Sequence, residues 1–208
     1  MPRSFTESER SKLIHRLKTA TKELLTIYGA RKTTIEMIVK KAVIPKGTFY
    51  LFYSSKELLF WDVINEYHKD ISKVLKDALE NTRNIDADRF AEILFQIFIT
   101  VSASFYPNLM VEGEMESIIR KLPDDLVKDH HNDDADMLTE LASILPSDSP
   151  VFSDRKKVEA ASGALRILFF SLLHRREIGE TLYDHSLRIL LRGVANELFE
   201  PSYKGSEV

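Results

Sequence analysis

The chain has 208 residues, is 44% hydrophobic and carries a formal net charge of −3. That is enough apolar material to bury a substantial core, which excludes a disordered or fibrous chain. With no cysteine it also excludes disulfides, thiolate metal sites and a cysteine nucleophile.

The charge is divided unevenly: residues 1–60 hold 12 Lys and Arg against 5 Asp and Glu, and the remainder holds 17 against 27. A basic segment of this size is the electrostatic footprint of a nucleic-acid binder. It begins with MPRSFTESERSK, which has no apolar run of the kind a secretory signal needs, so a cytoplasmic chain is expected. A first helix follows from about Glu7 to Tyr28, with Leu13, Leu17, Ala20, Leu24 and Ile27 or Tyr28 on one face. Gly29 stops it.

Thr33 to Lys56, TTIEMIVKKAVIPKGTFYLFYSSK, contains two short helical patterns separated by a few residues. Thr33 or Thr34 suits an N-cap, and Ile35, Ile38, Val39 and Ala42 recur at helical spacing, so one face of the first short helix is buried. The second begins at Pro45, whose fixed φ suits a first helical turn, and runs through Leu51. Neither is long enough to stand alone; both need a third helix. This is the layout of a helix-turn-helix.

Ser54 and Ser55 make a short loop and cap, and a long helix with apolar positions from Leu58 to Leu79 follows. The polar stretch Glu80 to Asp86 ends it. Asp86 to Phe105 reads as a strongly apolar helix. Within it begins Ile93 to Val111, a charge-free run in which Gln96, Thr100, Ser102, Ser104, Pro107 and Asn108 argue for a buried helix rather than a membrane span. Pro107 to Leu122 makes a shorter helix broken by Gly113 and stopped by Pro123. Met137 to Leu145 makes another, and Ser153 or Asp154 caps a helix reaching about Ile178 that is apolar on most of its circumference. After Gly179 a last helix runs to about Phe199, before a frayed tail. Nothing alternates with period two, so the expected fold class is all-α.

The segments T-T-I-E-x-I-V-x-x-A (Thr33–Ala42), K-G-T-F-Y (Lys46–Tyr50) and S-K-E-L-L (Ser55–Leu59) resemble the DNA-binding domain of TetR-type transcriptional regulators. The likeness is dense over about two dozen residues; beyond them it is one of length and helical pattern. It implies a helix-turn-helix DNA-binding domain at 1–55, a larger helical ligand-binding and dimerisation domain at 56–200 and a tail at 201–208. This chain departs from the pattern in the turn, where Val43 and Pro45 replace a glycine and a serine, and at Phe52 and Tyr53 after the second helix. By the same resemblance Lys46, Gly47, Thr48 and Tyr50 contact double-stranded operator DNA, with Thr34 and Lys56 on phosphates. Lysine ammonium, hydroxyl groups and helix N-termini all suit phosphate oxygens.

Trp61, Phe95, Phe98, Phe105, Met110 and Phe169 are candidates to line an apolar effector pocket, although aromatic residues at helical spacing are more often plain core. His130, His131, Asp133, Asp134 and Asp136 could be read as metal ligands, but neighbouring side chains diverge and an acidic run is usually solvated, so no metal or other cofactor is expected. No Gly-x-Gly loop and no G-x-S-x-G turn occurs, so an enzyme is not expected. Small residues at Ala160 to Ala164 and the apolar surplus from Leu165 to Leu173 suggest that the last two long helices form a homodimer. The expected function is a ligand-responsive regulator, a repressor released from a palindromic operator by a small, largely apolar molecule. The alternative is a helical interaction module whose basic N-terminal domain docks a protein.

Overall fold

A capping box opens the first helix: the Thr6 hydroxyl accepts from the Glu9 N–H while the Glu9 carboxylate accepts from the Thr6 N–H. The chain, seen in a computed structural model that describes residues 5–82, 85–127 and 155–200, is built of helices joined by turns, with no strand among the described residues. The fold is all-α. The segments around His130 to Asp136 and Met137 to Leu145, the cap at Ser153 or Asp154, and the tail lie outside the described residues.

Among the described residues the helices are, in chain order, α1 (Glu7–Lys32), α2 (Ile35–Ala42), α3 (Lys46–Phe49), α4 (Lys56–Glu80), α5 (Ala87–Ser102), α6 (Tyr106–Leu109), α7 (Glu114–Ile119), α8 (Arg155–Ser171), α9 (Arg175–Ile178) and α10 (Glu180–Phe199). The helix expected from Asp154 to Ile178 is interrupted by a 3₁₀ turn at Leu172–His174. The second helix of the helix-turn-helix is shorter than expected, since beyond Phe49 the bonding tightens to turns such as Leu51 N–H to the Thr48 carbonyl at 3.2 Å. Gly29 breaks α1, as its spacing implied, with φ 72° and ψ 179°. One difference from the expected apolar face is that Ile27 and Tyr28, just before the break, are exposed.

The residues pack as two units. The first comprises residues 1–69 and 103–127, the second 70–102 and 128–208. This division differs from the boundary expected at 55/56, because the first part of α4 and the α6–α7 segment pack with the N-terminal helices. In the first unit Leu17, Leu25, Ile38, Phe49, Leu59 and Phe60 are fully buried in one apolar cluster. α6 and α7 close this cluster with Leu109 and Ile118. Burying such side chains stabilises by roughly 1.5–3 kcal/mol each, which is what lets helices as short as α2 and α3 persist.

In the second unit α5 and α10 form the principal pair, joined by α8. The buried residues of α10, Tyr183, Leu187, Leu191, Ala195 and Leu198, recur every three or four positions and so lie on one face. Phe90 stacks obliquely on Phe199 with ring centroids 5.6 Å apart. Arg192 pairs with Asp88 at 3.1 Å, and Arg188 lies over the Phe95 ring while reaching Glu92. No helix among the described residues is long and apolar enough to cross a membrane.

Candidate nucleic-acid interface

Thr33 and Thr34 divide the work at the start of the helix-turn-helix. Thr33 is fully buried and its hydroxyl donates to the Gly29 carbonyl at 2.6 Å. Thr34 is exposed and caps α2, its hydroxyl accepting from the Met37 N–H at 3.3 Å. The turn after α2 is a left-handed stop: the Val43 N–H donates to the Lys40 carbonyl at 3.2 Å and the Ile44 N–H to the Val39 carbonyl at 3.0 Å. The residue in the left-handed conformation is Val43 itself, at φ 52° and ψ 55°. A β-branched residue is strained there. The Arg16 guanidinium holds the turn by donating to the Val43 carbonyl at 2.7 Å.

Pro45 then caps α3, and Phe49, fully buried, anchors it. The Phe49 ring meets Tyr50 edge-on at 5.4 Å and lies 6.1 Å from Tyr53. With Phe49 turned inward, Lys46, Gly47 and Tyr50 are exposed and Thr48 is half-buried. The Lys46 ammonium sits 2.5 Å from the Glu36 carboxylate of α2. That hydrogen bond holds Glu36 below the usual carboxylate value and Lys46 above the usual lysine value. Arg31, Lys32 and Lys40 are exposed on the same module.

Lys56, expected on a phosphate, makes intramolecular bonds at the start of α4. Its ammonium donates to the Ala30 carbonyl at 2.9 Å and the Thr33 carbonyl at 2.6 Å and lies over the Phe60 ring, and burial holds it below the usual lysine value. α4 is capped by Ser55, whose hydroxyl accepts from the Leu58 N–H at 3.2 Å. Behind the module, Lys18 pairs with Asp62 at 3.0 Å and with Glu66 at 2.7 Å, and Lys22 pairs with Glu66 at 2.9 Å. The Tyr53 hydroxyl donates to Asp62 at 2.6 Å; burial, then that carboxylate, pushes the phenol well above its usual value. Two lysines of the basic segment thus hold α1 to α4. Charge counting could not have told them from the exposed ones.

Of the six effector-pocket candidates, each unit holds three. Trp61 and Phe105 are buried in the core of the first unit, and Met110 is half-buried at the end of α6. In the second unit Phe95 and Phe98 are buried, and Phe98 stacks on the half-buried Phe169 with centroids 4.2 Å apart and planes at 14°. Rings at that separation are in contact, so anything between them has to part them. A cleft of about 470 Å³ in the first unit is lined by Arg31, Gly113, Glu116, Ser117, Ile119 and Arg120 and touches none of the six. No group of three or more potential metal-ligating side chains occurs among the described residues.

A short helix anchored by a buried aromatic, set after a left-handed turn on a basic three-helix module, is the arrangement of a helix-turn-helix domain. Residues 18–63 match the family of bacterial regulatory proteins described as the tetR family. Over 72 residues the chain is 36% identical to the HTH-type transcriptional regulator YhgD of Bacillus subtilis, a match spanning 35% of this chain and 36% of that one. The chain thus matches about a third of the length of the curated relative. Its fold is shared along nearly its whole length with SCO4454, a TetR-family regulator from Streptomyces coelicolor, at a TM-score of 0.67 and 18% identity over 91% of this chain and 97% of that one. FadR from Bacillus subtilis, solved in complex with stearoyl-CoA, gives 0.56 and 16% over 92% and 98%. Residues 18–63 thus carry the sequence pattern of the tetR-family helix-turn-helix segment, and the chain as a whole shares the fold of TetR-family regulators.

Proposed function

We propose that the chain is a cytoplasmic homodimeric repressor that leaves a palindromic operator when it binds a small, largely apolar effector. The observation that carries the DNA-binding half is the outward set Lys46, Gly47 and Tyr50 around buried Phe49, beside the exposed cap Thr34. α3 enters the major groove, Lys46, Thr48 and Tyr50 meet base edges and phosphates, and Gly47 admits the DNA backbone closely. Lys46 exchanges the Glu36 carboxylate for phosphate on binding. Lys56 contributes the N-terminus of α4 rather than its ammonium, which the α1–α2 junction engages.

Candidate effector contacts are Phe95, Phe98 and Phe169 in the apolar interior of the second unit or, as a separate site, Trp61, Phe105 and Met110 in that of the first. α4 carries residues of both units, so an effector that prefers one disposition of α4 shifts the operator-binding equilibrium. The stearoyl-CoA of the Bacillus subtilis neighbour is an amphiphile with a long apolar chain, consistent with this class of ligand.

The test is selection of bound duplexes from a random-sequence library, followed by titration at several salt concentrations. A dimer contacting several phosphates shows a steep fall of affinity with salt, whereas protein docking by the basic domain does not require one. Lys46→Ala and Tyr50→Ala are each expected to weaken binding by roughly 1–3 kcal/mol with the fold intact. Glu36→Gln, which releases Lys46, is expected to tighten it. Unchanged affinity in a folded Lys46→Ala, Tyr50→Ala double variant would reject the assignment.

A further inference from the structure

The break at Gly29 frees backbone groups immediately before the helix-turn-helix, and side chains from distant parts of the first unit take them up. Lost helical bonding leaves the Ala30 and Arg31 N–H groups without their usual carbonyl partners four residues back. Both donate to the same carboxylate oxygen, Oε2 of Glu114, at 2.5 and 2.9 Å. On the other side of the break the Leu25 and Thr26 carbonyls accept from the Asn108 side-chain amide at 3.2 and 2.5 Å. The carbonyls of Ala30 and Thr33 accept from Lys56. Thr34 then starts α2. The joint that aims α2 and α3 is therefore held by side chains, and its donors by one carboxylate alone.

Gly29 belongs to the same device. At φ 72° an L side chain is strained, and a Cβ on this residue would lie 2.8 Å from Glu114 Oε2 and 3.0 Å from its Cδ. The glycine supplies the break and the room for the carboxylate that repairs it.

We infer that Glu114 is a positioning residue for operator binding, fixing the direction in which the α1–α2 junction presents the reading helix from a place in the chain far outside the helix-turn-helix. This rests on the DNA-binding reading above. A carboxylate accepting two N–H bonds makes charge-assisted contacts, stronger and shorter than neutral ones. Removing it leaves two donors to water and the junction free to turn. Glutamine keeps an acceptor oxygen at the same reach; alanine does not.

The experiment compares wild type, E114Q and E114A as full chains, each shown folded by circular dichroism at the assay temperature. Affinity is measured for a duplex selected by the wild-type chain and for a scrambled duplex of equal length. E114A should lose about tenfold or more in affinity for the selected duplex, a loss equivalent to one or two net hydrogen bonds. Its affinity for scrambled DNA and its salt slope should stay near wild type, because the phosphate-binding cations are untouched. E114Q should fall between the two, closer to wild type, and amide exchange at Ala30 and Arg31 should accelerate in E114A alone.

A folded E114A that binds the selected duplex as wild type does would overturn the inference. A parallel loss on both duplexes would do so too, since a merely structural role predicts it. An E114Q as weak as E114A would also overturn it, because glutamine retains an acceptor oxygen for the two N–H groups and should hold the junction in part. A wild-type chain that enriches no sequence defeats the DNA-binding reading itself, and this assignment with it.

Discussion

Val43 is the residue whose conformation disagrees most with its chemistry. Left-handed backbone costs a non-glycine residue roughly 1–2 kcal/mol, and this side chain recovers little by burial because it is 75% exposed. The cost is met by the two helix-stop hydrogen bonds, by Arg16 on the carbonyl and by Ile44, which turns into the core directly afterwards. Val43→Gly removes the strain and gives back part of the gain through glycine's greater freedom when unfolded. The expected net effect is a stabilisation of about 0.5–1 kcal/mol, read as a higher urea midpoint for the transition of the first unit. A lower midpoint would mean that the valine methyl groups pack in solution.

At the scale of elements, the α1–α4 tie makes stability depend on pH. Burial by itself would raise the Glu66 carboxyl, but hydrogen bonds from Lys18 and Lys22 outweigh it and hold the group below its ordinary 4.5. A carboxyl depressed in the folded state stabilises fully above its unfolded value, and that stability is lost as pH falls through the folded one. The first unit should therefore lose stability as pH drops below about 4.5, with Lys18, Lys22, Asp62 and Tyr53 facing the titrating group. Thermal melts from pH 6 to pH 3 on wild type and Glu66→Gln test this, with the variant expected less stable at pH 6 and flatter in acid. Parallel curves would assign the acid limb to other carboxylates.

At the scale of the molecule, the second unit carries several large apolar side chains that are exposed among the described residues. Ile167 and Phe170 on α8 are 71% and 57% exposed, and Leu182 and Ile189 on α10 are 61% and 64% exposed. On α10 these two lie a heptad apart and beside the face that carries Leu187 and Leu191 inward. Exposed apolar residues on neighbouring helices suit an interaction surface, and a two-fold dimer uses one such surface twice. The proposed homodimer buries them. Ile189→Lys with Phe170→Lys should give a monomer by sedimentation at micromolar concentration and should abolish binding to a palindrome while sparing weak binding to its half-site. A wild-type chain that is itself monomeric while binding a palindrome would rule the dimer out.

The all-α character, the Thr34 cap and the helix-turn-helix were legible in the residues because the signals that specify them act within one or two turns. Thr34 before Ile35, the spacing of Ile38, Val39 and Ala42, the stop at Gly29 and the pairing of short helices with a basic stretch are all local, and the structure reproduces each. What the fold alone decided are the partners. Lys18 and Lys22 meet Glu66 across 48 and 44 residues, and Glu114 meets the α1–α2 junction across 84. No periodicity encodes such contacts, since they exist only once burial has brought the helices together. The same holds for the carbonyl partners of the Lys56 ammonium, and for Phe98 and Phe169, whose apolar character is visible in the chain but whose stacking on each other is not. Even the left-handed Val43 follows from this division, because the packing of Ile44 and the hold of Arg16 impose a conformation that valine's own preferences oppose.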